Sequence, residues 1–188
     1  MNQRRILILK GSPRKKGNSA ILADQVAAGA SAAGAAVESL DLHGMDIRPC
    51  DSCDFCQGSG ECVINDDMQQ LYPKLRAADG LVIASPIYWF TINAQTKLCI
   101  DRWYALEGAG DNALAGKEVG VVLTYGDRDP YTSGAVNAIR MFQDIFRYEN
   151  ADIVGFVYGS ASQPGEIQAQ SELMERAYAL GQRLAAGG

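Results

Sequence analysis

The sequence lacks several features that would place it in other classes of protein. No apolar run approaches the roughly 20 residues of a membrane-spanning helix, and the stretch after Arg4 and Arg5 is too short for a signal peptide. Basic residues are fewer than acidic ones, 17 against 22, which argues against general binding to a nucleic-acid backbone. The single histidine, His43, has no evident partner and is expected at the surface. We therefore expect a cytoplasmic protein with no membrane or nucleic-acid partner.

The length and composition are those of one globular unit. Hydrophobic residues make up 47% of the chain and charged residues 21%, which are ordinary values. A chain of 188 residues can bury a core without disulfides. We predict a single domain over residues 1–188, and we interpret the five cysteines by their spacing because disulfides are uncommon in the cytoplasm.

A polar turn at residues 11–19 follows the first apolar run of the chain. The pattern predicts a buried strand at 6–9 and a helix at 20–33. The turn therefore lies between a strand's carboxyl end and a helix start, where free N–H groups and the helix dipole attract an anion and where Asn18 and Ser19 can cap the helix. A phosphate monoester is the expected ligand. Ser12 offers this phosphate a hydroxyl, and Arg14 offers it a fixed positive charge.

Two other phosphate-binding loops do not match this turn. A Walker A loop needs a lysine directly after its second glycine, whereas Gly17 is followed by Asn18. The dinucleotide fingerprint needs a glycine where this chain has Pro13. A single phosphate therefore fits better than a triphosphate or a pyrophosphate. The alternative is an exposed turn that happens to be rich in serine, glycine and lysine.

Five apolar runs alternate with helical patterns along the chain. Because this alternation is typical of a parallel sheet covered by helices on both faces, we predict an α/β fold. With a phosphate loop after the first strand, the simplest arrangement is a flavodoxin-like three-layer α/β/α sandwich with strand order 2-1-3-4-5. The strands are predicted at 6–9, 35–42, 80–85 (ended by Pro86), 119–124 and 152–158, and the helices at 20–33, from 68, at 93–106, 135–148 and 166–186.

Aromatic and apolar residues follow the third strand at the same edge of the sheet as the turn. Such side chains can stack on a flat ring, and the backbone N–H groups beyond Pro86 can bond ring oxygens and nitrogens. A ring joined to one phosphate is what flavin mononucleotide (FMN) offers. Hydrophobic packing or a subunit interface is the alternative interpretation of the aromatic residues. The predicted ring-binding residues are Pro86, Ile87, Tyr88, Trp89, Tyr125 and Gly126.

Four cysteines lie in a loop at about 44–65 with the spacing Cys50-x2-Cys53-x2-Cys56-x5-Cys62. Three cysteines at intervals of three can surround one centre, and the glycines at 58 and 60 allow the chain to return with the fourth. Four thiolates suit a [4Fe–4S] cluster. The alternatives are packed and reduced thiols, or a zinc ion or redox disulfide. The fifth cysteine, Cys99, is expected to be a buried apolar residue.

These motifs resemble the NADPH-dependent FMN reductase branch of the flavodoxin-like superfamily. The resemblance rests on Gly11-Ser12-Pro13-Arg14 with Gly17-Asn18-Ser19, on Ser85-Pro86-Ile87-Tyr88-Trp89, and on Lys97 with Asp101-Arg102. The cysteine loop is similar to that of the iron-sulfur flavoproteins, in which four such cysteines bind a [4Fe–4S] cluster. The resemblance implies that the first motif holds the FMN phosphate and the second borders the isoalloxazine. The phosphate ligands that it implies are Ser12, Arg14, Asn18 and Ser19, and the ring residues are Pro86, Ile87, Tyr88 and Trp89. We interpret Asp101 and Arg102 as structural.

The resemblance implies an NAD(P)H-dependent FMN oxidoreductase in which the flavin carries the chemistry and no side chain is the catalyst. A cluster would allow electrons to leave singly, and the acceptor would be a ferredoxin, a quinone-like molecule or another redox partner. Relatives of this kind are oligomers, so a homodimer or homotetramer is expected. Two other functions stay open: an electron carrier without nicotinamide chemistry, and a non-catalytic sensor that binds zinc or uses its thiols.

Overall fold

The sheet of the computed structural model, which describes residues 3–187, has six strands. Five of them are parallel and lie in the order β2-β1-β3-β5-β6, while the short β4 pairs antiparallel with β3. The parallel strands reproduce the predicted order 2-1-3-4-5, so the flavodoxin-like fold is confirmed, and β4 is the strand that the pattern does not predict. The strands are β1 (Arg5–Lys10), β2 (Ala36–Asp41), β3 (Gly80–Tyr88), β4 (Thr91–Ile92), β5 (Glu118–Tyr125) and β6 (Asp152–Ser160).

Helices cover both faces of the sheet because alternate residues of each buried strand point to opposite sides. Leu7 and Leu9 of β1 belong to one apolar core, and Ile6 and Ile8 belong to the other. The first core packs against α3, α4 and α5, and the second against α1 and α6. The helices are α1 (Asn18–Ala32), α2 (Phe55–Ser59), α3 (Met68–Ala77), α4 (Ala94–Asp101), α5 (Ala135–Tyr148) and α6 (Ser171–Ala186).

The sequence predicts that Pro86 ends the third strand, but the strand continues past it. The pairing of β1 with β3 stops at Ala84, so no residue of β1 lies beside Pro86. The missing N–H of the proline therefore costs no hydrogen bond to β1. The strand continues to Tyr88 and turns back into β4. The turn residues Trp89 and Phe90 have φ angles of 47° and 67°, the left-handed pair that a tight hairpin turn requires.

Three predicted helix boundaries are also wrong. The first helix begins at Asn18, with Gly17 at the N-cap position, so neither Asn18 nor Ser19 caps it. The predicted helix at 93–106 ends as an α-helix at Asp101 and continues as a 3₁₀ turn. The closing helix begins at Ser171, because residues 166–169 form a separate 3₁₀ turn. In the described part of the chain, no helix has both the length and the apolarity needed to cross a bilayer.

Candidate functional site

One cleft of about 290 Å³ opens at the carboxyl edge of the parallel strands. It is bounded by the loops that follow β1 and β6 and by the carboxyl ends of β3 and β5, which meet there because parallel strands end at the same edge. Nine of the ten residues predicted to bind a phosphate and a ring line this cleft. They are Ser12, Arg14, Asn18, Ser19, Pro86, Ile87, Tyr88, Tyr125 and Gly126.

The loop after β1 is shaped by Gly17. A Cβ at this position would lie 2.5 Å from Ser12 Oγ and 3.0 Å from the Arg14 carbonyl oxygen, so a larger residue would have to displace the Ser12 side chain. Ser12 Oγ accepts a hydrogen bond from Arg14 N–H and donates one to Arg14 O, each at 3.1 Å. The helix α1 begins directly after this turn, and its first N–H groups have no carbonyl partner within the helix.

Ser19 has the buried polar side chain of this loop that makes no hydrogen bond among the described residues. Its side chain lines the cleft in the first turn of α1, the residue is only 1% exposed, and its Oγ makes no hydrogen bond. A buried hydroxyl without a partner costs about 1–3 kcal/mol, so native structures rarely leave one without a reason. The start of α1 therefore combines an unpaired hydroxyl with the positive end of a helix dipole, a combination that suits an anion.

Asn18 has a different part in the structure. Its Nδ2 donates to the carbonyls of Ala161 (3.1 Å) and Gln163 (2.9 Å), and its Oδ1 accepts from Ile167 N–H at 3.3 Å. The side-chain amide is thus fully used in fixing the loop after β6. This loop contributes Ala161 and Ser162 to the cleft, a contribution that the sequence analysis missed. The sequence does contain a signal for this contribution, because a polar stretch directly after the last parallel strand must lie at the same edge of the sheet as the other loops.

Asn93 is a second residue that the sequence analysis missed. It is buried, and its Nδ2 donates to the Gly11 carbonyl while its Oδ1 accepts from Ser85 Oγ (3.0 Å) and Thr96 Oγ1 (2.6 Å). The side chain therefore ties the loop after β1 to the end of β3 and to α4. Asparagine is common in loops and caps, so its position alone did not indicate this role.

The aromatic end of the cleft is divided between buried and exposed residues. Tyr125 is buried, and desolvation raises the pKa of its phenol. Trp89 is 89% exposed and borders an adjoining groove of about 350 Å³, which shares Ile87, Tyr125 and Gly126 with the cleft. The turn that carries Trp89 is held by Asn137, whose Nδ2 donates to the Phe90 carbonyl at 3.0 Å. Trp89 is therefore the one predicted ring residue outside the cleft.

The cysteine loop lies between β2 and α3 along the chain. Cys56 is buried, Cys62 is partly exposed, and Cys50 and Cys53 are exposed. Burial raises the pKa of the Cys56 thiol, and the nearby Cys62 and Cys50 thiols raise it further. Over residues 3–187, no three cysteine, histidine or acidic side chains are arranged to hold a metal ion. The four thiols therefore share one loop without being gathered around one centre.

The base of the cysteine loop contains a buried ion pair. Arg102 Nη1 lies 2.5 Å from Asp66 Oδ2, and the two side chains are 1% and 0% exposed. Burial alone would raise the pKa of Asp66, but the hydrogen bond from Arg102 lowers it below its usual range. Lys97 pairs with Asp101 one turn away along α4. Asp101 and Arg102 thus each form an ion pair with a neighbouring side chain, and Cys99 is buried and His43 exposed, as expected.

Comparisons with known proteins agree with this arrangement. Residues 4–151 match the family model of the NADPH-dependent FMN reductases. An iron-sulfur flavoprotein of Methanocaldococcus jannaschii is 27% identical over 189 residues, covering 96% of this chain and 95% of the relative. Another, from Archaeoglobus fulgidus, is 30% identical over 177 residues, covering 93% and 76%.

A solved structure agrees at the level of the fold. The NAD(P)H:quinone oxidoreductase of Methanothermobacter marburgensis superposes with a TM-score of 0.81 at 22% identity, covering all of this chain and 98% of that one. The family match covers most of the chain, including the loop after β1 and the ends of β3 and β5 that line the cleft. The chain therefore belongs to the NADPH-dependent FMN reductase family and is an NAD(P)H-dependent flavin oxidoreductase.

Proposed function

We propose that the cleft binds FMN with its phosphate at the start of α1. The observation that carries this proposal is the buried Ser19 hydroxyl, which has no partner and lines the cleft in the first helical turn. A phosphate oxygen would accept its hydrogen bond and those of the free N–H groups beside it. Arg14 is exposed and forms no ion pair within the described chain, so its guanidinium is available to the same phosphate.

The other predicted phosphate ligands act mainly by shaping the loop. Ser12 Oγ is engaged with Arg14, and the Asn18 amide is engaged with the loop after β6. We assign to Asn18 the donation of its backbone N–H to the phosphate. The Ser12 hydroxyl can accept a further hydrogen bond, or exchange the one that it donates to Arg14 for one to the phosphate. Fixing these groups before the ligand arrives reduces the entropy lost on binding.

The ring would occupy the end of the cleft between the carboxyl ends of β3 and β5. Pro86, Ile87 and Tyr88 border it on one side and Tyr125 and Gly126 on the other. When bound there, the isoalloxazine supplies hydride and electron transfer between NAD(P)H and an acceptor. The adjoining groove beside Trp89 shares its inner wall with the cleft, so we assign it to the nicotinamide or acceptor. The exposed indole offers that ring a surface for stacking.

We further propose that Cys50, Cys53, Cys56 and Cys62 hold a [4Fe–4S] cluster. The donor set fits the cluster, because four free thiols lie within one loop and iron-sulfur clusters are held by four thiolates. Ser52 and Asp54, on either side of Cys53, have left-handed φ angles of 56°, so the backbone turns sharply at this cysteine. Closing the loop on a cluster would require Cys50 and Cys53 to leave solvent. The cluster would supply one-electron transfer.

Anaerobic spectroscopy tests the flavin assignment. The purified chain, or the chain reconstituted with FMN, should show a flavin spectrum that NADPH or NADH bleaches. A chain that takes up no FMN contradicts the proposal. Bleaching by reduced ferredoxin but by neither nicotinamide would instead identify an electron carrier.

Metal analysis tests the cluster separately. Anaerobically purified protein should contain four irons and four acid-labile sulfides per chain, and a variant with Cys50 and Cys53 changed to serine should contain neither while still binding FMN. Zinc without iron would favour the sensor alternative. Neither metal would leave an FMN reductase with reduced thiols.

A further inference from the structure

The cysteine loop is closed at its base by hydrogen bonds between its two ends. Arg48 N–H donates to Asp66 Oδ2 at 3.0 Å, and Arg48 Nη2 donates to the Asn65 carbonyl at 2.9 Å. Further out along the chain on both sides, Asp46 N–H donates to Asp67 Oδ2 at 2.7 Å. The segment between Arg48 and Asp66 is therefore a loop with fixed ends, and all four of its cysteines lie between them.

Arg102 reaches this base from the end of α4 and contacts both ends of the loop. Its Nη1 donates to the Arg48 carbonyl at 2.9 Å and to Asp66, and its Nη2 lies 3.3 Å from both Asp66 Oδ1 and Cys62 Sγ. The guanidinium is thus a buried cation with one carboxylate partner and one N–H directed at a cysteine sulfur. A neutral thiol accepts hydrogen bonds weakly, whereas a metal-bound thiolate accepts them strongly.

We propose that Arg102 is a positioning residue for the cluster, fixing Cys62 as a ligand and placing a positive charge beside its sulfur. The inference rests on the proposed [4Fe–4S] site. Hydrogen bonds to cluster sulfurs and nearby net charge set the reduction potential, because reduction adds negative charge that a neighbouring cation stabilises. Arg102 therefore raises the midpoint potential, and Asp66, which shares the guanidinium, limits this effect.

The two partners of the ion pair provide variants with opposite expected effects. Arg102→Gln removes the cation while leaving Asp66 charged, so the cluster should become harder to reduce. Asp66→Asn leaves the cation with a neutral partner, so the cluster should become easier to reduce. We expect each variant to change the ratio of reduced to oxidised cluster at a fixed potential by about tenfold, which for one electron corresponds to about 59 mV. Arg102→Lys keeps the charge and should restore most of the wild-type potential.

Arg76 is the matched control. Its side chain also contacts the cysteine loop, donating to the Gly60 carbonyl at 3.3 Å, and it pairs with Asp111, but it contacts no sulfur. Arg76→Gln therefore perturbs the loop without changing the charge beside Cys62. It should leave the midpoint potential unchanged even if it lowers the stability of the loop.

The experiment is a redox titration of each anaerobically reconstituted full-length chain, followed by electron paramagnetic resonance, with iron measured per chain. Opposite shifts in Arg102→Gln and Asp66→Asn, with no shift in Arg76→Gln, support the proposal. If Arg102→Gln does not fold, a rise in the potential of Asp66→Asn carries the same test. Unchanged potentials in iron-loaded variants overturn the role of Arg102 alone. A wild-type chain that binds no iron overturns the cluster and this inference together.

Discussion

Replacing Ser19 with alanine should have opposite effects on the FMN-free chain and on FMN binding. In the free chain the Ser19 hydroxyl is buried without a partner, which costs about 1–3 kcal/mol, and alanine also favours the helix by roughly 0.5 kcal/mol. The variant should therefore unfold at a higher urea concentration. A hydrogen bond to a charged phosphate contributes about 1.5–3 kcal/mol, so losing it should weaken FMN binding by roughly 10- to 150-fold.

The phosphate can be isolated by comparing FMN with riboflavin, which has the same ring without the phosphate. Quenching of flavin fluorescence gives both dissociation constants, and Ser19→Ala should weaken FMN binding while leaving riboflavin binding nearly unchanged. Ser31→Ala is the matched control, because Ser31 is an exposed serine of the same helix and gains only the helix propensity. The reasoning is refuted if Ser19→Ala weakens both ligands equally, or if it destabilises the free chain relative to Ser31→Ala.

Three further substitutions test other parts of the structure. Asn93→Ala leaves several buried partners unpaired and should lower the free energy of unfolding by about 2–4 kcal/mol in urea; a loss below 0.5 kcal/mol would contradict its role. Gly134→Ala places a Cβ 2.5 Å from Phe90 Cα at a φ of 78°, so it should lower the free energy of unfolding by about 1–3 kcal/mol and alter Trp89 fluorescence. Gly110→Ala is the control, because Gly110 has a φ of 80° but open space around it; this variant should lose less stability and leave that fluorescence unchanged. Burial and the neighbouring Glu107 raise the pKa of Glu149 to about 8. Between about pH 4.5 and 8 the folded chain therefore keeps a proton on Glu149 that the unfolded chain releases. The free energy of unfolding should fall as the pH rises through this range, by at most about 1.4 kcal/mol per pH unit. Glu149→Gln should remove that fall, and an unchanged pH profile would contradict the assignment.

The central strands of the parallel sheet, β1, β3 and β5, could be predicted because they are buried on both faces. Such strands are short continuous apolar runs, and each is separated from the next by a helical pattern and a turn signal, so existence and order follow from the sequence. The loops that form the cleft follow from the same rule, since polar residues after parallel strands meet at one edge. The loop after β6 was missed only because the rule was not applied to it.

The ends of elements depend on tertiary contacts and were predicted less well. Pro86 stays within a strand because β1 has already ended beside it, which the local sequence does not reveal. Asn18 looks like a cap in the sequence, but its amide is used by carbonyls about 143 residues away along the chain. The turn at Trp89 and Phe90 lacks the usual glycine or asparagine, so its left-handed geometry could not be expected from propensity.

The cysteine loop shows the limit of spacing as evidence. The spacing predicts four ligands, whereas the structure shows four thiols that differ in burial and a guanidinium beside one of them. Arg102 could not be assigned to that sulfur from the sequence, because 40 residues separate it from Cys62. The contact arises from the buried pair with Asp66, and only the packing of α4 against the loop creates it.

A crystal structure of the chain with FMN tests the central claim most directly. We predict that the FMN phosphate lies within hydrogen-bond distance of Ser19 Oγ and of the first N–H groups of α1, with the isoalloxazine between Tyr88 and Tyr125. A phosphate bound elsewhere, with Ser19 Oγ still unpaired, would contradict the account.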